Sequence, residues 1–381
     1  MSMACRKVYI ASASMIRVSR YFTKSYKELA FDVVDEISRN LSNDGLNNID
    51  YVIVSNVFSD SMLDQLDIST ILTQELGLTP KPALRIETGE SSGLAAIAHA
   101  YALIKSGLAS SVLVIGVEKS SEYPTTAINK HLTKLLDYEV ESIYDFALVN
   151  EAAFLMKEYM ERYRYSREDL SSWSVKMHSN AVRNPYAQLK FTVTKEQVVN
   201  SQVLSDPLRL LDSFPIGDGA AAILLTSNDG LISNSDYVEI EAVFQATALP
   251  LNLRDNILEL PATKLLFSRL VKECKVDIND AVLEIHDSYS ILGYLIIEEL
   301  GLVRRGKAPE VINDLNNVNL SGGLKARGHP IGATGVYQVA EIFKILTEGL
   351  GDVRRNVTWG LAHSMSALDV NSAVVVVRRC R

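Results

Sequence analysis

Apolar and polar positions along the chain follow two alternating rhythms. Short, almost unbroken apolar runs, such as VYIASASM at 8–15, DYVIVSNV at 50–57 and SVLVIGVEK at 111–119, punctuate longer stretches whose apolar residues recur every three or four positions. The short runs predict strands covered on both faces, and the long stretches predict amphipathic helices lying against them. In order, the first half reads strand, helix (26–41), strand, helix (68–78), strand (83–89), a small-residue helix (91–107), strand (111–119) and, after a long excursion, strand (219–227). Beyond Ser235 the order returns: strand 238–247, helix 263–275, strand 281–288, helix 291–302, then NVNLSGG at 317–323 leading into helix 332–349, and strands 356–363 and 372–379.

The predicted fold is therefore α/β, a βαβαβαββ unit written twice. Helices on the faces of buried strands imply a layered arrangement. A repeat of domain length reads as a duplication and not as a solenoid. Residues 1–235 and 236–381 form the two expected halves. The excursion at about 120–207, richer in Tyr, Arg and Glu, is expected to cap a site at their junction.

Composition narrows the function classes. With 47% hydrophobic and 22% charged residues in 381, there is ample material for a large core. A net charge of −8 and no Lys/Arg cluster argue against a nucleic-acid partner. No apolar stretch is long enough for a membrane span, and the start MSMACRKVYIASASM lacks a cleavable apolar leader, so a soluble, unprocessed, cytoplasmic protein is expected. Cys5, Cys274 and Cys380 show neither disulfide nor zinc-ligand spacing, and no metal is expected.

Candidate chemistry gathers on histidines. His329, in GHPIGATG (328–335), sits just ahead of a small-residue helix, where unpaired N–H groups and the positive dipole end collect. His286, in EIHDSYS, and His363, in GLAHSMS, each follow an apolar strand. All three are candidates for one pocket, although a histidine at a strand end can also serve only to bond the backbone. His99 is expected in the core or at an interface, His178 is open between a structural role and ligand contact, and His131 has no supporting context. Tyr289 is read as core packing.

Four motifs in this order, GHPIGATG preceded by NVNLSGG, EIHDSYS, FPIGDGAAAILL around Asp218 and MHSNAVRNPYAQL from Met177, make the chain resemble the thiolase superfamily. The likeness is to its sterol-carrier-protein and archaeal branches and extends over nearly the whole chain. It implies a five-layered α-β-α-β-α fold, activity on acyl-CoA thioesters, no tightly bound cofactor, coenzyme A thioester as substrate or ligand, and a homodimer or homotetramer paired through the strand SVLVIGVEK. In thiolases a nucleophilic cysteine precedes the helix corresponding to SSGLAAIAHA, in a pattern ending Cys-x-Ser-Gly. Here the text is ETGESSGLAA, which places Glu90 at that position. A carboxylate is a poor nucleophile towards a thioester. Ser91 and Ser92 are more simply read as helix-cap and turn residues.

The second family cysteine is expected two or three residues before His363, where Trp359, Gly360, Leu361 and Ala362 stand. With both sulfurs absent, the implied function is carbon–carbon bond formation or cleavage of Claisen or aldol type without an acyl-enzyme. Glu90 would be the base and His286 and His329 the holders of the thioester oxygen. Some thiolase-like proteins lacking the cysteine are aldolases that work with a small OB-fold partner. The alternative is a catalytically inactive subunit that binds CoA esters or scaffolds a complex. Both readings are open at this point.

Overall fold

The structure is a computed structural model that describes residues 6–41, 45–144, 146–232, 237–274 and 276–380. Cys5 and the boundary between 235 and 236 lie outside these residues. Strands and helices follow the predicted order: β1 (Tyr9–Met15), α1 (Tyr26–Asn40), β2 (Tyr51–Ser55), α2 (Ile68–Glu75), β3 (Ala83–Ile86), α3 (Ser92–Ser106) and β4 (Ser111–Glu118). The excursion holds α4 (Leu148–Tyr163) and α5 (Ser172–Arg183) among shorter turns. The chain then continues through β5 (Gly219–Thr226), β6 (Tyr237–Thr247), α6 (Pro261–Cys274), β7 (Ala281–Glu284), α7 (Ser290–Glu299), α8 (Thr334–Leu346), β8 (Trp359–Ser366) and β9 (Asn371–Cys380).

The nine strands lie in the order β3-β2-β4-β5-β1-β6-β9-β8-β7. Read outward from the β1–β6 junction, each half has the same order and the same strand directions. The third strand of the second half is reduced to a parallel bridge between Leu283 and Val318, within the segment NVNLSGG. The halves join where Tyr9 lies opposite Glu239 and Ile10 opposite Val238.

Side-chain alternation builds the layers. On β9, Val374 and Val376 face one core while Val375 and Val377 face another. Leu29, Val33 and Ile37 of α1 and Leu72 of α2 cover the outer face of the first half. Leu266 and Leu270 of α6 and Leu295 of α7 cover the outer face of the second. Between the halves lie α3 and α8, and every residue of α8 is buried. This is the five-layered arrangement that the resemblance implies, with a period-2 pattern buried on both sides of each half of the sheet.

Two expectations are corrected here. The strand SVLVIGVEK is not an edge: β4 pairs with β2 on one side and β5 on the other, so its backbone groups are already satisfied within the chain. The edge strand of the first half is β3, which ends the sheet order. His99, expected in the core or at an interface, lies outside the core, exposed on α3.

The central pair of helices touches backbone to backbone. A Cβ built on Gly93 of α3 would lie 2.7 Å from both Cα and N of Gly335 in α8, so only glycine permits the approach. Gly93→Ala is expected to destabilise the protein by roughly 1–3 kcal/mol, the usual range for overpacking a closed core, read as a lower denaturation midpoint with little change in slope. In the cap, Glu151 of α4 is buried, and burial, then the charge of Glu141, push its carboxyl up to about 8. The proton this requires contributes stability fully present below about pH 4.5 and lost as pH rises through about 8. Glu151→Gln, which needs no proton, should therefore raise the melting temperature more at pH 9 than at pH 5. A gap independent of pH would contradict the assignment.

Candidate functional site

Glu90 stands one residue ahead of Ser91, the N-cap of α3, in a turn whose preceding Gly89 has φ +62°. Neighbouring hydroxyls hold that turn. Ser91 Oγ donates to the Thr88 carbonyl at 2.7 Å, and Ser92 Oγ accepts from the Thr88 amide at 2.8 Å. Both serines are thereby used as turn residues, in line with the simpler reading of the sequence. The Glu90 side chain points away from them, into the space between the halves, and is 2% exposed.

There it meets two imidazoles from distant segments. His329 Nε2 lies 3.0 Å from Glu90 Oε1, and His286 Nε2 lies 3.6 Å from the same oxygen. The two rings stand perpendicular with centroids 5.3 Å apart. Glu90 Oε2 accepts the Ala367 amide at 3.3 Å, and Ser364 Oγ donates to the Glu90 carbonyl at 3.0 Å. Each imidazole is steadied from behind, His329 Nδ1 by Thr334 Oγ1 at 2.6 Å and His286 Nδ1 by Ser364 Oγ at 3.3 Å. Ser364, Thr334 and the Ala367 amide were not singled out in the sequence. Ser364 could have been, because it follows His363 on a strand and so must face the other way.

The local supports are equally specific. Asn319, at φ +45°, accepts the Ile285 amide at 2.7 Å and donates to the Ile285 carbonyl at 3.2 Å, fixing the residue before His286. Asp287, the next residue, accepts from Trp173 Nε1 at 2.8 Å and from the Leu324 amide at 2.7 Å. Three consecutive non-glycine residues, Ala367, Leu368 and Asp369, adopt positive φ in the turn beside Glu90. That uncommon backbone is held by Asp369, whose carboxylate accepts the amides of Ala262 and Thr263 at the start of α6.

Electrostatics follow from burial and pairing. Burial pushes the Glu90 carboxyl up, but the facing imidazoles of His286 and His329, through their polar contacts and then their charge, reverse this and hold it at about 2. Burial lowers His329 to about 4, against the pull of Glu90. At neutral pH the contact is thus a neutral imidazole N–H donating to a carboxylate.

His363 does not join this cluster. On β8, Leu361, His363 and Met365 face the outer core and α6, whereas Ala362 and Ser364 face inward. His363 Nε2 pairs with Thr263 Oγ1 at 2.9 Å, the ring packs on Phe267, and burial lowers its pKa to about 3. The segment expected to replace the second sulfur is likewise interior: a Cβ on Gly360 would collide with Ile342 of α8. The β8 residue that reaches Glu90 is Ser364. His178 is fixed between the Phe191 carbonyl at 2.9 Å and Lys325 Nζ at 3.3 Å. His131 packs against Phe58 and Tyr123 in the cap.

A cavity of about 440 Å³ lies on the cap side of the cluster, lined by Phe214 and Tyr289 together with Arg20, Asn129, Gln188 and Leu204; Glu90, His286 and His329 are not in its wall, and Phe214 is the lining residue that touches the cluster. Phe214 stands edge-on to His329 at 4.8 Å and to Tyr289 at 5.8 Å. Tyr289, read from the sequence as core, is both buried and part of this wall, and burial raises its pKa.

A family model for the thiolase N-terminal domain matches residues 8–229, and one described as thiolase C-terminal domain-like matches residues 270–379. The chain belongs to the thiolase family. It is 34% identical over 354 residues to the acetyl-CoA acetyltransferase of Methanocaldococcus jannaschii, covering 89% of each protein. It is 28% identical over 399 residues to human sterol carrier protein 2, covering 97% of this chain and 71% of that protein. Among solved structures, the Ltp2-ChsH2(DUF35) aldolase superposes with a TM-score of 0.80 over 97% of both chains at 19% identity. The thiolase resemblance read from the motifs is thereby established, with its archaeal and sterol-carrier branches.

Proposed function

We propose that this thiolase-family protein acts on acyl-CoA thioesters, making or breaking a carbon–carbon bond through an enolate and without a covalent acyl-enzyme. The observation that carries the reading is the meeting of Glu90 with the Nε2 atoms of His286 and His329, behind the Phe214 wall of a cavity. Glu90 takes the α-proton, and the two imidazoles donate to the thioester oxygen as it becomes negative. The donors that hold the carboxylate down are the same ones the oxygen needs. When they turn to the substrate, burial acts on Glu90 unopposed and makes it a stronger base. His363, held by Thr263 on the far face of β8, positions the strand that carries Ser364.

Relatives support the substrate class, since one is named an acetyl-CoA acetyltransferase, and the aldolase name of a neighbour in fold supports carbon–carbon cleavage. That neighbour's name also carries ChsH2(DUF35), which supports a small acyl-CoA-binding partner for this chain. We further place the protein in the cytoplasm as a homodimer or homotetramer of chains divided into halves at 235/236, with β3 as the free edge available for pairing. A second reading, a silent subunit, is favoured by the closure of Glu90: it is almost fully buried and its oxygens are already taken by His329 and Ala367.

Exchange of the acyl α-hydrogen in deuterated water, followed by mass spectrometry, separates the two. The enolate reading expects exchange into acetyl-CoA or a longer acyl-CoA, reduced by about 10²–10⁴ in Glu90→Gln and by about 10²–10³ in His329→Ala. Exchange absent with every ester and partner, but with calorimetric binding of CoA esters intact, supports the silent subunit. No heat with any CoA ester sinks both. Ordinary thiolysis of acetoacetyl-CoA that survives Glu90→Ala overturns the account of the site.

A further inference from the structure

One contact in the buried cluster is longer than a hydrogen bond. Ser364 has a single hydroxyl hydrogen, and the Glu90 carbonyl, 3.0 Å away, can only accept it. Ser364 Oγ, 3.3 Å from His286 Nδ1, supports that ring from behind, which leaves Nε2 as the ring atom that faces Glu90. His286 Nε2 lies 3.6 Å from Glu90 Oε1, too far for an ordinary hydrogen bond.

The surrounding geometry suits a metal ion. Glu90 Oε1, His286 Nε2 and His329 Nε2 all fall within 4.8 Å of one another, and the two contacts to Glu90, 3.0 and 3.6 Å, straddle the separation of about 3.3 Å between ligands bound at about 2.05 Å in a tetrahedral site. Each imidazole has its Nδ1 on a hydroxyl, Ser364 or Thr334, the outer support that aims Nε2 of a ligating histidine. For His329 this needs only the other tautomer, with Nδ1–H donating to Thr334. The sequence hid this set because cysteine spacing is absent and the three residues are some 40 to 240 positions apart.

We propose that Glu90, His286 and His329 form a binding site for one divalent transition-metal ion of the zinc class, with its open coordination toward the cavity walled by Phe214 and Tyr289. Two imidazoles and one carboxylate are a donor set that takes zinc, cobalt or iron in the divalent state. An ion there occupies the basic oxygen of Glu90 and both Nε2 atoms. The loaded protein is therefore closed to the enolate step, and the metal is an inhibitor of it. This last part rests on the function proposed above, whereas the binding itself does not.

The test uses the full chain, stripped with chelator and titrated with Zn²⁺ by calorimetry and with Co²⁺ by visible absorption. The expected result is one ion per chain with d–d bands of a low-coordinate nitrogen and oxygen site. Affinity should be weakened more than about 100-fold in Glu90→Gln and about 10-fold in Thr334→Ala. It should be unchanged in His99→Ala, which removes an exposed histidine. No stoichiometric Co²⁺ spectrum from the folded wild-type chain overturns the proposal without any variant being needed, as does binding that survives Glu90→Gln. If the ion binds as described and α-hydrogen exchange proceeds equally with and without it, the metal site stands and the role of Glu90 as base falls.

Discussion

The close crossing of α3 and α8 is the constraint on which the site depends. Gly93 and Gly335 allow the two helices to meet through their backbones, and both glycines lie in the first turn or so of their helix. Glu90 stands two positions before one helix, and His329 five positions before the other. Bringing the helix starts into contact brings these side chains to 3.0 Å. It also gathers two positive dipole ends around a buried carboxylate, which offsets part of the cost of holding a charge away from water.

Around that crossing the two halves play unequal parts. The first half supplies Glu90 alone, from the turn after its edge strand. The second half supplies both imidazoles, the hydroxyls that orient them, and the positive-φ turn whose Ala367 amide meets the second oxygen of Glu90. Glu90, at the position the motif comparison assigns to the family cysteine, is a residue that these donors can hold. A carboxylate accepts several hydrogen bonds at once, while a thiolate relies more on one partner imidazole. The site is well satisfied, and that is why its chemistry turns on which partner the imidazoles choose.

The cap completes the cavity. Leu204, Asn129 and the neighbouring turns wall the approach to Phe214 and Tyr289, while α4 buries Glu151 with its carboxyl pushed up to about 8. Excluding water here strengthens each polar contact within the cluster and raises the cost of leaving any of them unmade.

The layered fold was legible because its signal is local and repeated: strands buried on both faces, helices with one apolar stripe, and the same order written twice. Glu90 and His329 were legible as well, through short motifs tied to helix starts. What the chain order could not reveal is which face of β8 turns inward, since alternation says only that His363 and Ser364 point opposite ways. Packing against α6 or α8 makes the choice, and it sends His363 outward and Ser364 to Glu90. The same holds for β4, whose apolar run reads alike at an edge or in the middle of a sheet until β2 and β5 are in place. The meeting of Glu90, His286 and His329 is likewise a property of the tertiary structure alone, because three residues so far apart in the chain become neighbours only when both halves close on the same pair of helices.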